Sequence, residues 1–348
     1  MGRHRPAVGA PAIKRKAGDR RFTRNPGEAM ARYRWVAFAI VVALSPPARA
    51  DEWPARPIRI IAPSTPGGAA DTFARLLAEF LPPLLHQPVI VDNRPGGGGL
   101  IGAAAAAHAD KDGYTLVTAS IAYHAIAPAV SPNPGFDPIR DFTHIAFLGG
   151  PPNVFVVHPS LGVRSVADLI ALGRNRGPIN YVSPGVGTLG HLLVEDFAHK
   201  AGIDVQHIPH KGSSQAMMDL LAGNVPFASM TWSSAVAQVR AGRVVPIAVS
   251  SSARIAEFPA VPTLREQGFD DLVALTWYAL SGPAGLPDDV VTRLNAAVAG
   301  AWATPAVRQR LADDAITAEP MSPAAVTAFV TSEVRKWAPV ARQVMAAP

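Results

Sequence analysis

IRIIAPSTPGGAADTFARLLAEFL, residues 58–81, sets a short apolar strand, a Pro/Gly turn and an amphipathic helix in immediate succession. Ile58 to Ala62 has the apolar, β-branched character of a buried strand. Phe73, Leu76, Leu77, Phe80 and Leu81 then recur at helical spacing. The turn between them, Pro63 to Gly68, delivers backbone N–H groups to the start of a helix. Those donors have no intrahelical acceptor and lie at the positive end of the helix dipole, which suits a carboxylate or phosphate. The order strand–turn–helix predicts an α/β chain, and the bare donors predict anion recognition.

Ahead of this stretch lies a leader. Trp35 to Leu44 is an apolar run of ten residues behind Arg32 and Arg34, followed by Ala48-Arg49-Ala50. That is the pattern of a secretory signal peptide over residues 30–50, too short to remain as a membrane span. Translation then starts most naturally at Met30, with residues 1–29 a misplaced start or a disordered leader, and the mature chain begins at Asp51. Residues 1–50 hold eleven of the 32 Lys+Arg and two of the 26 Asp+Glu, so the remainder carries a net charge near −3. The basic balance of the whole chain belongs to its leader, which removes the case for a nucleic-acid partner. Cysteine is absent. The exported chain therefore has neither disulfides nor the thiol of a lipid anchor, and the expectation is a free periplasmic protein held together by burial.

Strands and helices alternate through the rest. Val89 to Asp92, Thr115 to Ser120, Asn153 to Val157, Ile179 to Ser183, His207 to Pro209 and Val245 to Ser250 read as strands. Helical patterns begin near Val166, Thr188, Pro287 and Ser322. This alternation implies two sheets covered on both faces. The second half repeats the opening device in "SPGVGTLGHLLVEDF", with Thr188 as N-cap and Leu192, Leu193 and Phe197 as the buried stripe.

Several catalytic readings fail on their own chemistry. Gly97-x-Gly99-x-x-Gly102 has the letters of a dinucleotide fingerprint. However, Asn93-Arg94-Pro95 intervenes and no acidic residue ends the next strand, so a tight structural turn is the better reading. Ser183 does not stand in a Gly-x-Ser-x-Gly elbow, although an exported esterase using it is the rival from another class. His191 and Glu195 lack the second histidine of a zinc helix. No cofactor and no metal are expected. Asp71, in the first turn of its helix, either binds orphan N–H groups or orients the loop around a bound acid, and the two roles are compatible. Lys211 offers a cation near the second turn.

In order along the chain stand PIRIIAPSTPGGAADTFAR, QPVIVDNRPGGGGLIGA, DGYTLV, FDPIRDFTHIAFLG, NYVSPGVGTLGHLLVEDF, IPHKGSSQAMMDLLAGNV, AGRVVPIAVSS, PAVPTLREQGF and WYALSGPAGLP. Together they resemble the tripartite tricarboxylate transporter substrate-binding proteins, the Bug-type periplasmic receptors, over Trp53 to Trp337. The resemblance implies an α/β, two-lobed type II periplasmic binding protein fold with a hinge of two crossover strands, near Asn153–Val157 and Thr276–Ser281. Lobe 1 would comprise residues 51–153 and 276–348, and lobe 2 residues 154–275. A small carboxylate would bind in the cleft. Ser64, Pro66, Gly67, Gly68, Ala69 and Asp71 would serve from the first turn, with Ser120 nearby. Ser183, Gly187, Thr188 and His191 would serve from the second, together with Met230. The implied partners are the membrane permease subunits of a secondary transporter, although many members stand without a neighbouring permease. A monomer is expected, and a sensor subunit is the further alternative. Ser64 replaces a common aromatic, His210-Lys211-Gly212 replaces Tyr-Lys-Gly, and Ser229-Met230 replaces a pair with an acid. These departures suggest a larger or more apolar acid.

Overall fold

Apolar runs rich in Val and Ile form two five-stranded sheets with helices on their faces. The computed structural model describes residues 53–346 apart from Lys211. The expected leader, signal segment and cleavage site, like Lys211, lie outside the described residues. Strand β1 (Ile58–Ala62) leads into helix α1 (Ala69–Phe80), then β2 (Val89–Asn93), α2 (Leu100–Ala107) and β3 (Thr115–Ser120). A π-helical turn (Ala122–Ile126) and β4 (Phe142–Gly149) follow. The chain then crosses to the second sheet through β5 (Asn153–Val157), α3 (Val166–Arg176), β6 (Ile179–Ser183), α4 (Leu189–Ala201) and β7 (Val205–Pro209). Helix α5 (Ser213–Leu221), β8 (Phe227–Thr231), α6 (Trp232–Arg240) and β9 (Val245–Val249) complete that sheet. Strand β10 (Tyr278–Pro283) returns to the first, and α7 (Asp288–Trp302), α8 (Pro305–Asp313) and α9 (Pro323–Ala346) close the described chain.

The two sheets share one plan. Their strand orders are β2-β1-β3-β10-β4 and β7-β6-β8-β5-β9. In the first, β1 pairs parallel with β2 and β3, while β10 runs antiparallel between β3 and β4. In the second, β6 pairs parallel with β7 and β8, while β5 runs antiparallel between β8 and β9. The antiparallel strand of each sheet is therefore the one that arrives from the other. The inner parallel strands β1, β3, β6 and β8 are largely buried beneath the crossover helices, while the edge strands β2 and β7 stay partly exposed. Phe73, Leu76 and Leu77 of α1 face the first sheet, and Leu192, Leu193 and Phe197 of α4 face the second, as their spacing predicts.

The crossing peptides, Gly150–Pro152 and Ala274–Trp277, run side by side. Pro152 bridges to Leu275, and the Thr276 N–H donates to the Pro151 carbonyl at 3.0 Å. Beside them the Ser250 hydroxyl accepts from the Asn153 N–H (2.8 Å) and donates to the Ala274 carbonyl (2.7 Å). The Thr276 hydroxyl donates to Asn153 Oδ1 (3.1 Å). Buried backbone groups that no ladder can satisfy are thus satisfied by side chains. Helix α9 lies against β4, the π-turn and α4, and so touches elements attached to both sheets. Its buried Glu333 accepts from the indole N–H of Trp277 (3.0 Å) and of Trp337 (3.2 Å), while Lys336 Nζ donates to the Val273 carbonyl (2.6 Å). The return crossover is gripped at both ends by one helix.

Gly150 has no room for a side chain: a Cβ there would lie 2.5 Å from the Thr276 carbonyl oxygen. Gly150→Ala should therefore lower the unfolding free energy by about 1–3 kcal/mol, read from urea denaturation at neutral pH.

Candidate ligand-binding site

The two predicted turns are built alike. In the first, the Gly68 N–H closes a turn onto the Thr65 carbonyl (3.0 Å). In the second, the Thr188 N–H closes the same turn onto the Gly185 carbonyl (3.2 Å). The third residue of each turn is a left-handed glycine, Gly67 at φ +81° and Gly187 at φ +75°, a conformation that a side chain would strain. Each of these glycines gives its N–H to the side chain four residues on. Gly67 donates to Asp71 Oδ2 at 2.8 Å, and Gly187 donates to His191 Nδ1 at 3.2 Å.

Behind each acceptor stands a group from the neighbouring parallel strand. Asn93, at the end of β2, donates from Nδ2 to Asp71 Oδ1 (2.9 Å) and to the Ser64 carbonyl (3.1 Å). His207 of β7 stacks on His191, with ring centroids 4.2 Å apart, and its Nε2 lies 2.8 Å from Ser183 Oγ. One helical turn further, Arg75 Nε donates to Asp71 Oδ2 at 2.8 Å, and Glu195 Oε1 lies 3.9 Å from His191 Nε2 while accepting the Tyr181 hydroxyl at 2.6 Å. Burial pushes the Asp71 pKa up, but the bonds from Arg75, Gly67 and Asn93 outweigh it and hold the carboxylate below its ordinary range. Burial pushes His191 down to about 4. Burial, with the like charges of His191 and His210, does the same for His207, also to about 4.

The turns leave donors open. Gly68 is the N-cap of α1 with no side-chain cap, and among the described residues the N–H groups of Ala69 and Ala70 meet no acceptor. In the second turn the Thr188 hydroxyl caps the His191 N–H at 3.4 Å, as the sequence predicts, and also donates to the Gly185 carbonyl at 2.8 Å. Pro66, Gly67 and Ala69 are exposed, and Ser64 is half-buried with its Oγ enclosed and unpartnered. Ser120 is buried at the end of β3, where its Oγ accepts the Ala122 N–H at 3.2 Å. Along the π-turn that follows, Ile126 reaches the second turn: a Cβ on Gly187 would lie 3.9 Å from Ile126 Cγ2. Met230 stands apart. It has no exposed surface and belongs to the apolar cluster with Val154, Val182 and Val249.

The bonding of Ser183 does not suit a nucleophile. The side chain is wholly buried, its hydroxyl donates to the Gly185 carbonyl (3.1 Å), and it accepts the Gly185 N–H (3.2 Å). His207 then meets it as an Nε2–H donor, the wrong tautomer for a general base. The glycines of the dinucleotide-like run serve packing, since a Cβ on Gly102 would lie 2.8 Å from the Arg94 carbonyl oxygen. Among the described residues no group of three His, Cys, Asp or Glu could hold a metal ion, and no helix is long and apolar enough to cross a membrane. The supporting residues Asn93, Arg75, His207 and Glu195 were not singled out as site residues by the sequence. The available signal was their place, four residues beyond each latch acceptor or on the strand beside each turn.

The sequence profile of the tripartite tricarboxylate transporter family receptors matches residues 73–345. The chain belongs to this family. The receptor is 35% identical to protein BugT of Bordetella pertussis over 308 residues, covering 88% of this chain and 94% of that one. Among solved structures it is similar to the R. palustris protein Rpa4515 with adipate, at 32% identity and TM-score 0.74, covering 85% of this chain and 100% of that one. It is also similar to MatC from Rhodopseudomonas palustris with bound malate, at 28% identity and TM-score 0.71, covering 83% and 100%. The fold is the α/β periplasmic binding protein fold expected from the sequence. Members are solute-binding receptors, not enzymes, so the esterase reading of Ser183 falls away.

Two outcomes follow from the latches. Asp71→Ala would remove the carboxylate shared by the Gly67 N–H, the Asn93 amide and Arg75, at a cost of about 1–3 kcal/mol in denaturant unfolding, while Asp71→Asn keeps an acceptor and loses less. Burial also pushes His144 down to about 4, like His191 and His207. Between that value and the ordinary histidine pKa the unfolded chain binds more protons than the folded one. Stability should therefore fall as the pH drops from about 6.5 toward 4, by about 2 kcal/mol at pH 5 for a fully buried histidine and less for the half-buried His207. Urea unfolding at a series of pH values reads this directly, and a flat profile would contradict it.

Proposed function

We propose that the receptor captures a small carboxylate between two lobes and presents it to the membrane subunits of a secondary transporter. The observation that carries this reading is the pair of matching turns at the starts of α1 and α4. Each is fixed by a glycine latch, and the first keeps the Ala69 and Ala70 N–H groups free. Such donors, backed by helix dipoles, grip a carboxylate without an Arg clamp. The adipate and malate held by two relatives of the same family belong to this ligand class.

In this reading the lobes divide at the paired crossovers, and ligand binding draws them together. Ser64, Pro66 to Ala69 and Pro184 to Thr188 line the cleft, while Asp71, His191 and the buried Ser120 and Ser183 act from behind the turns. Ser64 stands where an aromatic is common among relatives, and the smaller side chain favours a longer or more apolar acid. Residues 30–50 direct export and are removed after Ala50. The mature chain works as a free periplasmic monomer, with or without a dedicated permease.

A thermal-shift panel of mono-, di- and aromatic carboxylates tests the proposal. A ligand that binds only the folded state stabilises it by about 2.7 kcal/mol at a hundredfold excess over Kd, so at least one acid should raise the melting temperature. If no acid shifts the melting point at millimolar concentration, the reading is wrong.

A further inference from the structure

The equivalence of the two turns is chemical as far as Gly67 and Gly187, and then it stops. In the first turn the acceptor is a carboxylate that Arg75 keeps ionised. In the second it is an imidazole nitrogen. We propose that His191 is a positioning residue of the ligand site, which holds the second turn in its binding shape only while its ring is neutral. The inference rests on the carboxylate-receptor reading above.

The argument starts from the proton. Gly187 N–H donates to His191 Nδ1 at 3.2 Å, so that nitrogen is bare and the ring proton is on Nε2, directed toward Glu195 Oε1 at 3.9 Å. A second proton has only Nδ1 to occupy, where it would face the Gly187 N–H. Donor would meet donor, and the latch would open. The Thr188 N–H and hydroxyl still hold the Gly185 carbonyl, but the left-handed Gly187 loses the hydrogen bond that orients its own N–H.

The surroundings act on the same ring from several elements. His207 of β7 stacks on it, and Tyr181 of β6 stacks on His207 at 4.9 Å between centroids. His207 is itself tied through Nε2 to Ser183, the last residue of β6, so the two stacked rings hold the strand that enters the turn and the helix that leaves it. His210, beyond β7, has Asp219 of α5 at 3.0 Å from its Nε2. Glu195, on the same helix as His191, is the nearest carboxylate, and its charge is shared with the Tyr181 hydroxyl. From α9, Val344 and Met345 contribute apolar surface. These residues border an open groove of about 510 Å³ that also reaches His191, Glu195 and His207 and gives water access to them. Burial lowers the pKa of both rings, and the like charge of His191 lowers that of His207 further.

The experiment has a ligand-free arm and a binding arm. In the free protein, NMR should show the Gly187 amide shifting with the same midpoint as the His191 ring, and a Gly187 amide that stays still while His191 titrates would overturn the proposal. In the binding arm, the best acid from the thermal-shift panel is titrated into wild type and His191→Asn, whose side-chain oxygen keeps an acceptor at every pH. The ratio of the two affinities cancels the acid's own protonation. It should fall about twofold at the measured His191 midpoint and about tenfold one pH unit below, because only the neutral fraction is competent. A ratio independent of pH would overturn the proposal. His191→Phe, checked by circular dichroism to be folded, should bind weakly at neutral pH, and wild-type affinity there would also overturn it. Should His191→Phe fail to fold, the Asn variant and the amide titration decide. If wild type binds no acid, the receptor reading fails and the Gly187 titration still judges this one.

Discussion

A backbone N–H on a left-handed glycine, tied to a side chain one helical turn ahead, is the constraint on which both halves of the site depend. A chain leaving a parallel strand must turn sharply before a helix can begin, and glycine is the residue that reaches the needed φ without strain. That freedom would leave the turn loose. Asp71 and His191 remove it by taking the glycine N–H, which points the following peptide units along the helix axis. The helix then starts with its free donors facing outward instead of being spent on the turn itself. Anion binding by a helix N-terminus is generic; the latch is what gives it a fixed geometry.

The same economy runs through the architecture. Both sheets have three parallel strands in the order neighbour, first, third, and both receive their antiparallel strand from across the hinge. The crossovers carry side-chain hydrogen bonds where sheets would carry ladders, through Asn153, Ser250 and Thr276. Glu333 and Lys336 fasten the return crossover to α9, so the last described helix helps hold the passage between the two sheets.

Much of this was legible in the sequence. The opening strand, turn and helix, the second turn and its Thr188 cap, and most parallel strands follow from apolar runs punctuated by Gly and Pro. Strands β4 and β8 were not read as strands. The first, FTHIAFLG, carries a buried histidine that breaks the apolar run, and the second, FASMT, is short and rich in small residues. The π-turn over Ala122–Ile126 has no one-dimensional signature, because its residues would equally suit an α-helix. At the site, the glycines and Asp71 were visible as motif letters. Asn93 and His207 were not, because their role comes from strand pairing: each lies on the strand that sits beside the turn-bearing one, 22 and 16 residues from the latch acceptor. Met230 was misleading for the converse reason, as it follows Ser229 in a motif but faces the apolar cluster in space.

The exchange of strands between the sheets also sets an order of assembly. All five strands of the second sheet come from one continuous stretch, Asn153 to Val249, so its contacts are mostly local. The first sheet is interrupted: β4 has no partner in it except β10, which follows more than 120 residues later. Closing that long loop costs entropy before any contact rewards it, which makes it the slow event. The second sheet can therefore close while the first still carries unpaired edges. During that interval β4 and β3 are the open edges at which the chain is most prone to mispair.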